Sequence, residues 1–473
     1  MTLANSPRYD PARVSERDGQ AVVVGASVAG LLAGRVLSDG FADVTIIDKD
    51  PLPDEPVPRT GVPQADHAHL MLEAGRATIE DLFPGYSEGI LESGALLLDG
   101  GSDFKHFLSG DFMADADERL PMYTASRPLF EHQIRTRLAD VRAVDLREEC
   151  AFVGYLSEDG RRIDGIRVRE NGTERDIPAD LVVDATGRTS RTPDWLEANG
   201  FDSPAVEEVK INMAYSTTRF ERPEDARWSM AMLPDAPRKR GWAVLPIENE
   251  EWIVGLSEIH GEQPPTTPEE FTQYIADLPT DVGQRFVENY DFSTSEIEGY
   301  PFPSNIRRRY EDLSSFPEGL VVLGDAITSF NPIYGQGMSV AALESVALHD
   351  CLADGYRTDV ATEFFTRAEP VINIAWQMAT GADFEFDETI GKKPTGVSFF
   401  NWYTSRLTRK AHTDSVLRTA FAKVMMMENP PTSLFTPGIF RRVMSPKTRA
   451  TGGTVDPVET LVSAGHMSVP GDD

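Results

Sequence analysis

The sequence predicts an α/β protein in which a parallel-sheet domain carries an inserted antiparallel sheet and is followed by a helical C-terminal region. Three observations predict this architecture. An apolar strand at 21–24, a glycine turn, a helix to about residue 38 and a second strand at 44–48 open the chain as a βαβ unit. Strand-like runs then fill 210–260 at the close spacing of antiparallel strands. Beyond about residue 360 the pattern is mainly helical.

These patterns divide the chain into five segments. A buried strand within 319–326 and the long helix after it return the chain to the parallel sheet, so the first domain is discontinuous. A chain of 473 residues is long enough for two packed domains. The predicted segments are a mobile tail at 1–19, the parallel-sheet domain at 20–205 and 300–360, the antiparallel-sheet domain at 206–299, the helical region at 361–445 and a second mobile tail at 446–473.

The composition excludes several classes of partner and location. The net charge is −31 at pH 7, which argues against nucleic acid because phosphate backbones are bound by clustered Lys and Arg. The sequence has neither a recognisable secretory signal nor an apolar run of about 18 residues, so it predicts neither export nor a membrane span. The two cysteines, Cys150 and Cys351, are too few for a disulfide framework. We therefore expect a cytoplasmic protein without a transmembrane segment.

The distribution of charge also predicts the salt concentration in which the protein works. Acidic residues are scattered along the chain, and only nine of the 45 basic residues are lysines. Because such a surface keeps a protein hydrated at high salt, we expect a halophilic protein that loses its fold or activity in low-salt buffer.

The strongest local signal is GASVAG at 25–30, between the first strand and the first helix. Gly25 permits a tight turn, the small Ser27 stands where a pyrophosphate must approach, and Gly30 allows close packing of the helix. The free amides at the start of that helix favour phosphate. Asp48, 23 residues after Gly25, is placed to bind ribose hydroxyls. The predicted Rossmann-like dinucleotide site comprises Gly25, Ala26, Ser27, Ala29, Gly30, Asp48 and Lys49.

A second glycine-rich segment, GDAITSFNPIYGQGM at 324–338, ends a strand and begins a helix. Asp325 can hydrogen-bond a sugar-like hydroxyl, and the glycines of the loop let backbone amides approach a flat ring. The following helix directs its positive end toward the ring carbonyls. This indicates FAD rather than NAD, although for both segments the alternative is a glycine turn that serves the backbone alone. The predicted residues are Asp325, Pro332, Gly335, Gln336, Gly337 and Met338.

Together these segments resemble those of FAD-dependent monooxygenases of the aromatic-hydroxylase and squalene-epoxidase type, and are most similar to the bacterial polyether epoxidase-like group. Three further segments agree, namely GVPQADHAHLMLEAG at 61–75, SRPLFEHQIRTRL at 126–138 and DLVVDATGRTSRTPDWL at 180–196. The resemblance implies that the discontinuous domain binds FAD and that the inserted sheet binds substrate. It also implies that Arg127 contacts the FAD phosphates or ribityl chain, and that Asp325 contacts the ribityl or pyrophosphate part.

By this resemblance the protein uses O2 and a flavin C4a-hydroperoxide to insert one oxygen atom, by epoxidation or hydroxylation, into an apolar isoprenoid, polyketide or quinone-like substrate. NAD(P)H is the expected reductant. The family's usual DG dipeptide is replaced by DATGR at 184–188, and no second Rossmann turn occurs. NAD(P)H therefore visits the flavin transiently, or a partner flavin reductase replaces it. No catalytic acid–base pair is predicted, because the reaction depends on a dry and well-shaped pocket.

Three other functions share these motifs. A flavin-dependent reductase or dehydrogenase of the geranylgeranyl-reductase type would act on prenyl chains without inserting oxygen. A flavin halogenase is disfavoured because its paired-tryptophan WxWxIP segment is absent, GWAVLPI supplying only Trp242. A non-catalytic flavin sensor would bind FAD without turnover.

Four more patterns have a functional and a structural interpretation. His67 and His69 alternate as on one strand face, but no third ligand follows, so we expect no metal. The basic run at 307–309 is more typical of a solvated face than of an NADPH clamp. The aromatic-rich segment 395–445, with mixed charge, favours a lid or dimer contact over a membrane surface. Strand residues that fit either an apolar substrate wall or the sheet core are Trp228, Met230, Met232, Trp242 and Trp252.

Overall fold

The computed structural model describes residues 1–355 and 359–446, apart from the side chain of Arg17. The strands are β1 (Arg17–Val24), β2 (Phe41–Ile47), β3 (Leu96–Asp99), β4 (Phe104–Leu108), β5 (Asp111–Phe112), β6 (Pro121–Thr124), β7 (Val144–Arg147), β8 (Cys150–Leu156), β9 (Gly165–Glu170), β10 (Thr173–Pro178), β11 (Leu181–Asp184), β12 (Ala205–Glu221), β13 (Ser229–Met232), β14 (Arg240–Ile247), β15 (Glu251–Ile259), β16 (Glu298–Arg309), β17 (Leu320–Val322) and β18 (Thr328–Ser329).

The α-helices lie between and after these strands. They are α1 (Val28–Leu37), α2 (Glu73–Leu82), α3 (Tyr86–Glu92), α4 (Arg127–Ala139), α5 (Thr192–Ala198), α6 (Pro268–Ala276), α7 (Asp281–Asn289), α8 (Gly337–Ala353), α9 (Val360–Asp383), α10 (Val397–Ala411), α11 (Ser415–Met425) and α12 (Pro437–Met444). The last four confirm the predicted helical C-terminal region. Among the described helices, none has the length and apolar character needed to cross a membrane.

The first sheet is parallel and has the strand order β17-β11-β1-β2-β7. Val22 of β1 lies opposite Val182 of β11 and Thr45 of β2. A strand that is covered on both faces has apolar residues at consecutive positions, which explains the apolar run at 21–24. Residues of α1 and α8 cover one face, and the small antiparallel sheet β10-β9-β8 covers the other. The Rossmann-like parallel domain is therefore confirmed.

The second sheet has eight strands in the order β18-β16-β12-β15-β14-β13-β4-β5. Its long strand β12 pairs antiparallel with both β15 and β16. One face, the outer face, packs on α6 and α7 through a cluster that contains Trp252 and Phe286. The other, the inner face, meets the first domain, where Thr217 of β12 contacts His67. The predicted inserted sheet is therefore present.

This sheet takes strands from more of the chain than the predicted segment 206–299. β4 and β5 belong to it although they lie within 20–205, and β4 pairs in parallel with β13. β13 ends the antiparallel ladder, and its remaining backbone groups need a partner. The chain between β3 and β6 supplies that partner. The sheet is thus mixed, because a strand arriving from the first domain is not constrained by a hairpin.

The N-terminal segment is not a free tail. Thr2 is buried, and the Leu3 amide donates to the carbonyl of Met427 at 3.0 Å. Residues 1–16 therefore lie against the body in place of the mobile tail expected at 1–19, because backbone pairing with a distant loop satisfies this polar segment. Of the tail expected at 446–473, residues 447–473 lie outside the described part of the chain.

Candidate functional site

The turn between β1 and α1 has the geometry of a phosphate-binding loop. Gly25 has a φ of +109°, a backbone conformation that favours glycine. A Cβ on Gly30 would lie 1.8 Å from the carbonyl oxygen of Gly25, so only glycine lets α1 begin this close to the turn. The side chain of Ser27 does not cap α1. The first amides of the helix are therefore available to an anion.

Asp48 and Lys49 follow β2 beside this turn. Asp48 Oδ2 accepts a hydrogen bond from the Ala26 amide at 2.8 Å, and Oδ1 accepts from the Asp50 amide at 3.0 Å. The carboxylate thus holds the turn, whereas Lys49 is exposed. Each carboxylate oxygen can accept a second hydrogen bond. The ribose contact of Asp48 stays a prediction, and stabilisation of the turn is a role that the sequence pattern did not reveal.

A buried ion cluster adjoins the turn. Glu131 Oε1, on α4, accepts from Arg59 Nε at 2.8 Å and from Arg59 Nη2 at 2.6 Å. Glu131 Oε2 accepts from Ser27 Oγ at 2.9 Å and lies 3.0 Å from Arg127 Nη2. Arg59 Nη2 also donates to the Ala26 carbonyl at 3.1 Å. Sequence patterns alone did not reveal Arg59 and Glu131. The one signal was the four-residue spacing of Arg127 and Glu131, which places both on one helix face.

The cluster holds more positive than negative charge. Arg135 Nη1 lies 3.7 Å from Glu131, and Arg59 Nη1 lies 3.3 Å from Asp48, so three guanidinium groups face two carboxylates. Burial acts to raise the pKa of Glu131, but Arg127 and Arg59 outweigh it and lower that pKa. Among the described residues, the buried Nη1 atom of Arg127 has no hydrogen-bond partner, and that of Arg59 has only its ion pair with Asp48. A pyrophosphate would supply the missing acceptors, so these residues fit FAD.

The two glycine segments meet at the carboxyl ends of β1 and β17. Gly324 has a φ of +68°, and a Cβ there would lie 2.8 Å from the Cβ of Ala29. Asp325 follows directly and interacts electrostatically with Arg188 and Arg127. Burial raises the pKa of Asp325 to about 6, although both arginines lower it. The structure thus brings Asp325 and Arg127 to the glycine turn, as their predicted contacts with one cofactor require.

Glu344 of α8 supports this junction. Its Oε2 accepts a hydrogen bond from the Gly324 amide at 2.7 Å, and the side chain is fully buried. Burial raises the pKa of Glu344 to about 8. The neutral carboxylic acid is therefore the main form at pH 7, and the carboxyl group acts as a hydrogen-bond acceptor for the loop.

Glu344→Gln should stabilise the protein at pH 8 by at least about 1 kcal/mol, and by much less at pH 4. The pKa of Glu344 rises from 4.5 to about 8 on folding, so wild-type stability falls as pH increases across that window. Glutamine keeps an acceptor for Gly324 and has no charge to bury. Denaturant unfolding at both pH values measures the effect, with Glu174→Gln, a surface change, as the control. A difference that does not vary with pH would contradict the prediction.

The loop before α8 carries the other predicted cofactor residues. Pro332 begins it, Gly335 has a φ of +64°, and a Cβ on Gly337 would meet no atom within 4 Å. Gln336 Oε1 is buried without a partner among the described residues, and Met338 is buried in the first turn of α8. Open space at Gly337, next to the positive end of α8, is compatible with a flat ring.

Asp383, at the end of α9, fixes this loop. Its Oδ1 accepts from Asn331 Nδ2 at 3.0 Å and from Tyr334 Oη at 3.3 Å, and its Oδ2 accepts from Asn305 Nδ2 at 2.8 Å. Tyr215 Oη of β12 donates to Asn331 Oδ1 at 2.7 Å. The loop is therefore tied to β12, β16 and α9. Asp383 is 1% exposed, and burial raises its pKa to about 6.

Asp383→Asn should weaken FAD binding about tenfold and alter the absorbance spectrum of bound FAD, because an amide donor would oppose the donors of Asn305, Asn331 or Tyr334. Flavin titration and absorbance spectra measure both effects. Asp387→Asn, an exposed change four residues away, is the matched control. If Asp383→Asn changes only the thermal stability, Asp383 does not position the loop for FAD.

His67 contacts the inner face, and His69 is hydrogen-bonded to the backbone of His67. His67 Nδ1 is 2.7 Å from Thr217 Oγ1, and its ring centroid is 5.3 Å from that of Tyr300. His69 Nδ1 is 2.9 Å from the His67 carbonyl. Burial lowers the pKa of His67 to about 4 and that of His69 to about 3, so both are neutral at pH 7. Within 1–355 and 359–446, no three His, Cys, Asp or Glu side chains are grouped to hold a metal.

Two interpretations of sequence patterns change. The strand tryptophans and methionines are Trp228, Met230, Met232, Trp242 and Trp252, and all of them belong to the outer-face cluster under α6 and α7. The interpretation as a substrate wall is therefore wrong, and the interpretation as sheet core is confirmed. Side chains alternate along a strand, and the inner face therefore presents different residues, among them Thr217.

The basic run is not a solvated face. Arg307 is fully buried, and its Nη2 donates to Glu311 Oε1 at 2.5 Å. Arg308 donates to the carbonyl of Ala326 at 3.1 Å, and Arg309 pairs with Glu207 at 2.9 Å. Each guanidinium group thus links β16 to a neighbouring element, which a local sequence pattern cannot show.

A cavity of about 940 Å³ lies apart from these residues, between the β4–β5 hairpin, the start of α7 and α10. Its lining includes Asp111, Asp235, Glu385, Arg238 and Arg409, and none of the predicted cofactor residues. A lining this rich in charge is unlike an apolar substrate pocket.

Known proteins are similar to this chain in sequence or in fold. The model of a family described as FAD binding domain matches residues 18–377, which include both glycine segments. Protein Rv3254 of Mycobacterium tuberculosis (strain ATCC 25618 / H37Rv) is 29% identical over 434 residues, covering 87% of this chain and 90% of that protein.

Solved structures with the same fold have lower identity. The flavin-dependent brominase Bmp2 has a TM-score of 0.61 at 16% identity, covering 87% of this chain and 94% of its own. The p-nitrophenol 4-monooxygenase PnpA from Pseudomonas putida DLL-E4 has a TM-score of 0.60 at 16% identity, covering 88% and 99%. The match over 18–377, with a buried cluster that fits a pyrophosphate, shows that the chain belongs to the FAD binding domain family and is an FAD-dependent oxidoreductase.

Proposed function

We propose that this protein is a monooxygenase that inserts one oxygen atom from O2 into a small apolar organic substrate. The observation that carries the proposal is the junction between the loop 331–338 and the inner face of the second sheet. There Tyr215 bonds the loop, and His67 lies against Thr217 and Tyr300. A substrate held between this wall and the loop would lie beside the ring of bound FAD.

Residues of the chain would hold FAD along its whole length. The amides of α1 and the Nη1 atoms of Arg59 and Arg127 would bind the pyrophosphate. Asp48 would bind the ribose, Asp325 the ribityl chain, and the loop 335–337 the ring. When bound, FAD supplies two-electron redox chemistry and reactivity toward O2.

The substrate side of the site contains polar groups that are neutral at pH 7. Burial raises the pKa of Tyr215 well above 10, and burial lowers that of His67 to about 4. Tyr215 therefore keeps its proton and holds Asn331, and His67 acts as a neutral hydrogen-bonding group toward Thr217. The neutral Tyr215 and His67 therefore favour an apolar over an ionic substrate at this part of the wall, and an apolar occupant excludes the water that would hydrolyse a reactive oxygen donor.

The balanced reaction joins one atom of O2 to the substrate and releases the other as water. The two electrons come from NAD(P)H, which gives up a hydride, and a proton from solvent completes the water. A partner flavin reductase could deliver the same electrons. The substrate class that we favour is an isoprenoid, polyketide or quinone-like compound, through epoxidation or hydroxylation, because the sequence resembles the polyether epoxidase-like group.

A second candidate is halogenation, which the fold similarity to a flavin-dependent brominase favours. Against it, Trp242 lies in the outer-face core rather than at the cofactor, and no paired tryptophan accompanies it. A reductase that acts on prenyl chains shares the cofactor residues and differs in its product.

Product analysis under ¹⁸O2 distinguishes these reactions. The FAD-loaded protein is mixed with NADH or NADPH and candidate alkenes or quinones, and we expect one ¹⁸O atom per product with one O2 consumed for each. A reduced product that forms without O2 would overturn the proposal in favour of the reductase. A product halogenated only when bromide or chloride is present would replace it with halogenation. Reduction of bound FAD without any product would indicate the sensor.

A further inference from the structure

The C-terminal helices expose a group of large apolar side chains. Phe399 and Trp402 of α10 are 57% and 49% exposed, and Phe440 and Met444 of α12 are 42% and 39% exposed. We name these four residues the aromatic face. In the described part of the chain, only three other large apolar side chains are exposed, and none of them is aromatic.

The aromatic face is continuous. The ring centroids of Phe399 and Trp402 are 5.8 Å apart, and that of Phe399 is 6.2 Å from Phe435. The buried ring of Tyr403 stacks on Phe435 at 4.4 Å and on Phe440 at 6.0 Å. One layer of rings therefore joins α10 to α12.

Polar contacts hold the two helices in this arrangement. Arg406 Nε of α10 donates to the Val443 carbonyl at 2.7 Å, and Lys410 Nζ donates to the Arg442 carbonyl at 2.9 Å. Both carbonyls belong to the last turn of α12, where cations are favourable. The exposed rings thus project from a supported surface.

The segment that carries the face has a charge opposite to that of the whole protein. Residues 392–446 contain nine Lys or Arg and two Asp or Glu, in a chain of net charge −31. The mixed charge inferred from the sequence is therefore a basic excess. Lys392, Lys393, Arg409 and Arg441 are exposed.

We propose that the aromatic face is a docking site for an anionic lipid surface. Exposed Phe and Trp beside Lys and Arg are the features that place a helix at a membrane interface, where rings enter the headgroup region and cations meet anionic lipids. The charge excess is complementary to such a surface. The acidic remainder of the protein is repelled from it, so only this face approaches within the Debye length of about 8–10 Å.

The exposed area argues against a second copy as the occupant. Each side chain of the face is about half exposed, and a large aromatic side chain accounts for about 150–250 Å². The face therefore offers on the order of 400 Å², about half of the ~800 Å² that each partner buries in a stable interface. Shallow insertion into lipid needs no such area. The docking proposal is independent of the reaction proposed above.

Vesicle flotation of the full-length, FAD-loaded protein tests the proposal. We expect at least about tenfold stronger binding to phosphatidylcholine vesicles with about 30% phosphatidylglycerol than to pure phosphatidylcholine, weakened by added salt. Phe399→Ser with Trp402→Ser should abolish the binding, and Arg409→Glu with Arg441→Glu should weaken it about tenfold. Val57→Ser with Val206→Ser removes two exposed apolar side chains elsewhere and should leave binding unchanged.

Tryptophan fluorescence reports insertion without depending on flotation. Trp402 is exposed, whereas Trp228, Trp242, Trp252 and Trp376 are buried. Anionic vesicles should shift the emission to the blue in the wild type and leave the Trp402→Phe variant unchanged.

Three results would overturn the proposal. One is equal binding by the wild type and by the Phe399→Ser, Trp402→Ser variant. Another is absence of vesicle binding together with a dimer, seen by light scattering, that this variant dissociates, which would make a second copy the occupant. The third is protection of Trp402 from acrylamide quenching in the free monomer, which would show that the chain itself covers the face.

Discussion

Replacing Glu131 with alanine is expected to lower the free energy of unfolding by about 3–5 kcal/mol, because the change leaves buried positive charge without its partner. Glu131 is 4% exposed, and Arg59, Arg127 and Arg135 all lie within 3.7 Å of its oxygens. Urea unfolding of the FAD-free protein measures the loss. The loss should be smaller with FAD bound, since a pyrophosphate restores negative charge next to the arginines.

The pH dependence of this effect has a defined sign. The folded pKa of Glu131 lies below its ordinary value of 4.5, so its ionisation stabilises the fold fully above that pH and progressively less as pH falls toward the folded pKa. The difference between wild type and Glu131→Ala should therefore shrink in acid. Glu174→Ala breaks an exposed pair with Arg169 and is the control. Equal effects of the two variants would contradict a structural role for the buried cluster.

Gly30→Ala should abolish detectable FAD binding, with an affinity loss of at least about 100-fold. The added Cβ would lie 1.8 Å from the Gly25 carbonyl oxygen, and neither backbone segment can move without displacing α1 from the turn. The helix amides would then no longer converge on the pyrophosphate. Flavin fluorescence titration measures the affinity, and circular dichroism checks that the variant is folded.

Two further variants keep this prediction testable if Gly30→Ala does not fold. Gly154→Ala places its methyl group in open space and should bind FAD like the wild type. Gly324→Ala meets only the Ala29 side chain, at 2.8 Å, and adds strain of about 1–3 kcal/mol at positive φ. It should fold and bind FAD more weakly. Wild-type affinity in Gly324→Ala would contradict the placement of the cofactor between the two glycine segments.

Much of the fold is local in origin, which is why the sequence predicts it. The apolar run of β1, the glycines of the first turn and the strand β2 obey backbone and burial rules that act over about ten residues. The same holds for Gly324 and for the loop from Pro332 to Met338. The family match over 18–377 agrees with these segments. Cofactor contacts of single residues stay predictions.

Side-chain partners are the part of the site that the sequence could not predict. Glu131 meets Arg59 across 72 positions, and Asp383 meets Asn305 across 78. Each of these ion pairs and hydrogen bonds depends on where separate elements pack, and no spacing rule relates such distant positions. The parallel entry of β4 beside β13 has the same origin.

The sequence by itself determined the class of the domain, the two glycine segments and the order of sheets and helices, because backbone conformation and apolar periodicity are local properties. Only the tertiary structure decided which face of the second sheet meets the first domain, since the alternation along β13 and β14 is the same for either choice. It also decided that the buried arginines around the turn carry more positive charge than the neighbouring carboxylates neutralise. This excess of positive charge arises only when side chains that are distant in the sequence are buried together.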